Sequence, residues 1–199
     1  MRAREFLSEG PIPRNAMAQF KAWGFRPAGS GMLKQAFVDK TGHALIVTPD
    51  SEEVDSFLDW VKFCNQNKNH AHLPNFGGLR YVKIAGEKYA LSRAEKLQRI
   101  SRPLEDRLEP IVNALSFTAS GSGRFDDVAA DLKQRISYYK PQEQQKILEL
   151  AQRIDMPGIF DILVKIEQAR EKLGWMDDIS IDNFMLASNG RLVINDPWA

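Results

Sequence analysis

The sequence has a single cysteine, Cys64, which excludes an internal disulfide and any cysteine-rich zinc site. One thiol fits a reducing compartment. No stretch approaches the ~20 consecutive apolar residues of a membrane-spanning helix. Residues 1–13 carry Arg2, Arg4, Glu5, Glu9 and two prolines, and lack the apolar run of a secretory signal. The expectation is a cytoplasmic protein. Neither sign of charge is in excess. With 27 basic and 26 acidic side chains the net charge is +1, which gives no general attraction to nucleic acid or to an anionic membrane. Histidine is scarce, and His70 and His72 have no further cysteine, histidine or acidic cluster nearby in sequence, so a metal site there is not expected. No internal repeat and no heptad run is present. What remains is 199 residues, 43% of them apolar, enough for one core or for two small lobes.

Residues 1–22 read as a short helix or arm interrupted by Pro11 and Pro13. From Trp23 onward, Gly29, Gly31 and Gly42 punctuate short apolar runs, which predicts a glycine-rich hairpin and a third strand through Val47. Pro49-Asp50-Ser51-Glu52-Glu53 opens a helix with acids at the positive end of its dipole. Val54, Phe57, Leu58, Val61 and Cys64 fall on one face of that helix. Two more strands, 79–84 and 88–91, flank Ala85-Gly86-Glu87. After Glu95 the texture is helical, with helices expected over 103–117, 125–139, 142–154 and 159–173. Pro141 and Met156-Pro157-Gly158 break them. A final hairpin is expected from Phe184-Met185-Leu186 and Leu192-Val193-Ile194 around Ser188-Asn189-Gly190. Trp23, Trp60 and Trp175 read as packing residues and Trp198 as an exposed contact. The order is a β-rich lobe (23–95) after an N-terminal arm (1–22), then a mainly helical lobe (96–199), with a ligand cleft expected between the lobes.

The densest chemistry lies near the C-terminus. A polar loop containing Asp178 follows an apolar helix and ends at Asn183, which leads into a strand; the returning strand ends at Asp196. A two-residue hairpin turn sets Asn183 and Asp196 side by side, with Asp178 on the loop above them. Three converging oxygen donors suit a hard divalent cation such as Mg²⁺. The same residues also suit the capping of a loop and a turn.

These residues resemble the protein kinase core, in which an Asp is followed five residues later by an Asn, and that Asn thirteen residues later by the Asp of D-F-G. Asp178, Asn183 and Asp196 keep both spacings. More specifically, the chain resembles the early protein kinases of short-tailed bacteriophages, with their compact catalytic loop, Asn-Gly hairpin and Asp-Pro in place of D-F-G. Asn183-Phe184-Met185, Ser188-Asn189-Gly190 and Asp196-Pro197 carry that likeness. Gly29-Ser30-Gly31, Leu73-Pro74-Asn75 and the strand Tyr89-Ala90-Leu91 leading to a hinge near Glu95 carry it in the first lobe. The resemblance implies a minimal two-lobed α+β kinase-like fold that binds ATP and Mg²⁺. Gly29, Ser30, Gly31, Lys34 and Glu95 would contact nucleotide, Asn183 and Asp196 would hold metal, and Asp178 would accept the proton of a substrate hydroxyl. It also implies a bacterial host cytoplasm and a host protein as substrate.

Several departures keep a second reading open. Ile46 stands where the kinase strand-three Lys is expected. Lys34 instead occupies the third-glycine position of the loop, where with-no-lysine kinases place their phosphate-binding Lys; a solvated surface Lys is the competing reading. Glu52, Asp55 or Asp59 could pair with it. Ser180 replaces a cation of the catalytic loop, Met176-Asp177 replaces His-Arg, and Asp182 adds an acid beside Asn183. No activation segment or A-P-E motif is expected after Asp196. The alternative is a pseudokinase-type protein that binds and inhibits or redirects a host protein without phosphorylating it.

Overall fold

The computed structural model describes residues 12–30, 34–41, 43–50, 55–121, 123–176, 179–195 and 197–198, with Ser30 and Asp55 described in backbone alone. The chain forms two compact units. The first comprises Met1–Gln66 and Asn75–Lys96, the second Asn67–Pro74 and Leu97–Ala199. The architecture is mixed α+β, with a β-rich first unit and a mainly helical second unit, and the longer elements among the described residues come in the order expected from the sequence.

The first unit opens with helix α1 (Arg14–Ala22) after Pro13. Strands β1 (Arg26–Ser30), β2 (Gln35–Val38) and β3 (Ala44–Pro49) follow, then helix α2 (Asp55–Gln66), then β4 (Arg80–Ile84) and β5 (Glu87–Ala94). The five strands form one antiparallel sheet in the order β1-β2-β3-β5-β4. Strand alternation sends Phe37, Leu45, Val47 and Tyr89 to one face, where they pack with Ala16 and Phe20 of α1. The Phe20 ring lies 4.9 Å from Phe37 and edge-on to Tyr89 at 6.5 Å. Trp23, expected inside, is 48% exposed with its ring edge-on to Phe20.

Of the face expected of helix α2, Phe57, Leu58, Val61 and Cys64 are buried and Val54 lies outside the described residues; Trp60 and Phe63 are buried too and stack at 5.4 Å. Burial pushes the Cys64 thiol well above its usual range, so it behaves as a small apolar group. Phe57 meets Phe76 at 6.1 Å, and the Asn65 amide donates to the Gly77 carbonyl at 3.4 Å. The β4–β5 turn is the two residues Ala85 and Gly86, both at positive φ (52° and 94°), the primed geometry that matches strand twist.

In the second unit a strand not expected from the sequence, β6 (Leu97–Arg99), precedes helices α3 (Arg102–Ser120), α4 (Phe125–Ile136), α5 (Pro141–Arg153) and α6 (Met156–Leu173). Prolines open three of these helices, Pro103, Pro141 and Pro157 in their first turns, where the lost N–H has no partner to lose. A short 3₁₀ turn, Ile181–Asn183, leads into β7 (Phe184–Ala187) and β8 (Leu192–Ile194), and the sheet order is β6-β7-β8. The helices bury Leu115, Ile162, Leu163 and Ile166 among others, and the hairpin buries Val193 and Ile194. Trp198, expected at the surface, is 3% exposed. No helix among the described residues is long and apolar enough to cross a membrane.

Candidate functional site

In the first unit, the end of β1 carries Gly29. Register shifts between Pro27 and Gly29, a local bulge that bends the strand. The buried Gln35 side chain donates to the carbonyl of Gly29 and, at 3.2 Å, to that of Ala36, which pins the hairpin across its two strands. A Cβ on Gly29 would meet nothing within 4 Å, so the backbone is open to approach there. Gly31 and the Ser30 side chain lie outside the described residues.

Lys34 is not a solvated surface lysine. Its Nζ is buried and stands 5.0 Å from the centroid of the Phe57 ring on α2, within the range of a cation–π contact. The ladder explains this direction. Ala36 pairs with Ile46, and Ile46 pairs with Ser92, so these residues share the face opposite the α1 core. Two residues before Ala36, Lys34 falls on that same face. Neighbouring strands run ~4.8 Å apart, so Lys34 presents its ammonium on the side where half-buried Ile46 presents none. Of the acids weighed as its partner, Asp59 holds Lys62 Nζ at 2.7 Å, while Glu52 and the Asp55 side chain lie outside the described residues.

Glu95 follows β5. Its carboxylate accepts the backbone N–H of Asn75 at 2.9 Å and its side-chain amide at 3.4 Å, and its own N–H donates to the Asn75 carbonyl at 3.0 Å. The pair closes a reciprocal clamp on the chain where it leaves the sheet.

In the second unit, helix α6 ends at Gly174, whose φ of 78° is the left-handed cap position that glycine fills without strain. A brace not foreseen from the sequence holds the start of the next loop. Buried Glu167 accepts from Arg170 Nε at 2.9 Å, and Arg170 Nη1 donates to the Trp175 carbonyl at 3.2 Å. Glu and Arg three residues apart on a helix signal such a pair, but not what the guanidinium reaches next. Beyond it, Ser180 and Asn183 are half-buried and Asp182 is exposed. Asp178 and Asp196 lie outside the described residues.

The hairpin differs from the expected one by a residue. Ala187 donates to Arg191 at 2.9 Å, so the loop is Ser188, Asn189 and Gly190, with Gly190 at φ 79°. The Asn189 side chain accepts the Arg191 N–H at 3.0 Å and stabilises the reversal. This three-residue form needs its glycine at the left-handed position. The ladder runs Leu186↔Leu192, Met185↔Val193, Phe184↔Ile194, and the Asn195 N–H donates to the Asn183 carbonyl at 2.6 Å. Asn183 therefore stands directly across from Asn195, the residue before Asp196 in sequence. Asn195 is an amide at the strand end that the expected register hides.

Segment 67–74 is stitched onto β8. The Ile194 N–H donates to the His72 carbonyl at 2.9 Å, His72 Nδ1 donates to the Leu192 carbonyl at 2.8 Å, and Arg191 Nη1 donates to the carbonyls of Ala71 and, at 3.1 Å, Leu73. His72 Nε2 reaches Asp155 at 3.3 Å, and Asp155 caps α6 by accepting the Gly158 N–H at 3.0 Å. That amide, then His72, holds the Asp155 carboxyl below its usual range. His70, 5.9 Å from the His72 ring and 3.5 Å from Asp161, is pushed down by burial first and then by His72 and Lys165. Both histidines thus serve as fasteners. Among the described residues no group of three or more His, Cys, Asp or Glu side chains converges.

No protein-family model and no curated protein matches the sequence. Solved structures similar to the chain include an aminoglycoside phosphotransferase from Alicyclobacillus acidocaldarius, at 15% identity and a TM-score of 0.41, over 95% of this chain and 67% of that one. An aminoglycoside 2'-phosphotransferase-IIIa point mutant in complex with GDP is similar at 14% identity and a TM-score of 0.37, over 92% of this chain and 72% of that one.

Proposed function

We propose that this chain is a kinase-like protein that binds Mg·ATP. The observation that carries the reading is the β7–β8 hairpin, whose register holds Asn183 across from the residue that precedes Asp196. The spacing of Asp178, Asn183 and Asp196 adds to it. Lys34, with its ammonium turned inward, is the proposed phosphate ligand of the first unit, beside the backbone of Gly29, Ser30 and Gly31.

A carboxylate and carboxamides at a strand end are hard oxygen donors, which fits Mg²⁺. Asn183 and Asp196 would hold the ion, which when bound offsets the charge of the phosphates. Asp178 would accept the proton of the attacking hydroxyl, and Lys34 would draw charge from the phosphate oxygens. On this reading the substrate is a serine or threonine of a host bacterial protein. Glu95, which clamps Asn75, shapes the chain as it leaves β5 rather than reacting.

A second reading, an interaction protein without transferase activity, is favoured by two missing cations. Ile46 occupies β3 with an aliphatic side chain on the face where a phosphate-binding cation is needed, and Ser180 adds none in the loop. A thermal shift with Mg·ATP separates the two. Binding at 100 Kd raises native stability by ~2.7 kcal/mol. Lys34→Met should lose most of that shift, and unchanged affinity in the variant rejects Lys34 as the ligand. With binding in hand, labelled γ-phosphate transferred into a bacterial lysate and lost in Asp178→Ala supports the enzyme. Binding without transfer supports the interaction protein.

A further inference from the structure

A cavity of about 270 Å³ lies within the second unit, at the turn end of the hairpin. We infer that it is a binding site for a small aliphatic carboxylate, a role separate from nucleotide binding.

Its walls are Leu104 and Leu108 of α3, Leu150 of α5, Ile154, Leu186 of β7 and Leu192 of β8. All six are branched aliphatic residues, and the one ring among the described lining residues is the imidazole of His72, held by the Leu192 carbonyl and Asp155, so the apolar part of the space suits a flexible hydrocarbon chain. The volume is just under the ~300 Å³ at which pockets for drug-sized ligands begin, which suits a smaller molecule.

The polar residues on the lining settle the sign of the ligand. Arg153, in the last turn of α5, lines the cavity, is exposed, and forms no ion pair among the described residues. Its planar fork matches a carboxylate. Arg191, also on the lining, is fixed by its bonds to the carbonyls of Ala71 and Leu73 and keeps its positive charge there. Asp155 is the one acid among the described lining residues, and it is already engaged by His72 and by the Gly158 N–H at the positive end of α6. The local balance is a cationic mouth over an apolar interior. Gly190, at the left-handed turn position, borders the space, so a bound chain would pack against the hairpin itself.

The test is titration of the full chain with butanoate, hexanoate, octanoate and octan-1-ol, followed by calorimetry and by backbone amide NMR shifts. Octanoate should bind saturably. Hexanoate should bind about sixteenfold more weakly, from roughly a fourfold loss per methylene. Amide shifts should centre on Ile154, Gly190 and Leu192. Arg153→Ala, an exposed substitution that leaves the fold intact, should weaken octanoate about tenfold or more and leave octan-1-ol unchanged. Three results would overturn the inference: no saturable octanoate binding, amide shifts centred elsewhere, or equal octanoate affinity in Arg153→Ala. The last would mean that Arg153 serves only the C-terminal end of α5.

Discussion

Ala85 holds a φ of 52° in the β4–β5 turn, a conformation that costs an L-residue roughly 1–2 kcal/mol and that Asn tolerates better. Asn-Gly is the preferred pair for this turn, so Ala85→Asn should raise stability by about 0.5–1 kcal/mol. Chemical denaturation reads this directly, and a lower midpoint would mean the turn is not of the primed type. At Gly158 the constraint is contact rather than φ. A Cβ there would overlap the Asp155 carboxylate, which must then leave the α6 cap and its bond to His72. Gly158→Ala should therefore cost about 1–2 kcal/mol, the worth of a lost N-cap. A thermal midpoint equal to that of the native chain would show that the cap carries no stability. At this scale the sequence is a partial guide. The inward turn of Lys34 is hidden in it because lysine is ordinarily solvated, and the ring that receives it belongs to another element.

Elements with one strong local pattern are legible. The apolar face of α2 and both strands of the final hairpin follow from periodicity and turn chemistry alone. β6 is not, because its three residues alternate too briefly to signal a strand and its partner, β7, lies far along the chain. Trp198 misleads for the same reason, since its burial depends on the second unit being assembled. The expected hairpin loop is short by one residue, because Asn-Gly suits the two-residue turn as well as the three-residue one; the ladder, not the dipeptide, decides. The fastening of segment 67–74 to β8 and α6 is also beyond local pattern, and it has a pH signature. His70 binds its proton less readily when folded, so the stability of the neutral form is present above its usual value of 6.5 and is lost as pH falls below it. Asp155, with its pKa lowered, contributes stability above 3.8 that is lost as pH falls further. The thermal midpoint should drop between pH 7 and pH 5 in the native chain and drop less in His70→Gln. Identical profiles for the two proteins would remove His70 from the account.

For the whole molecule, the change of hydrophobic period from two to 3.6 near Glu95 marks where the chain turns mainly helical, whereas the membership of Asn67–Pro74 in the second unit rests on long-range bonds that no local period carries. The candidate site is legible as a spacing. In the second unit, the reach of Arg170 on to the Trp175 carbonyl and the Asn183–Asn195 pairing are not legible, because a helical spacing signals the Glu167–Arg170 pair but not its next partner and a turn dipeptide does not fix the ladder. The proposed function rests on the hairpin end as a magnesium site. ATP affinity measured by calorimetry with magnesium and with EDTA, in the native chain and in Asn183→Ala, tests that most directly. The account predicts binding that needs magnesium in the native chain and is weakened about tenfold or more in the variant. Equal ATP affinity with and without magnesium, unchanged by Asn183→Ala, would contradict it.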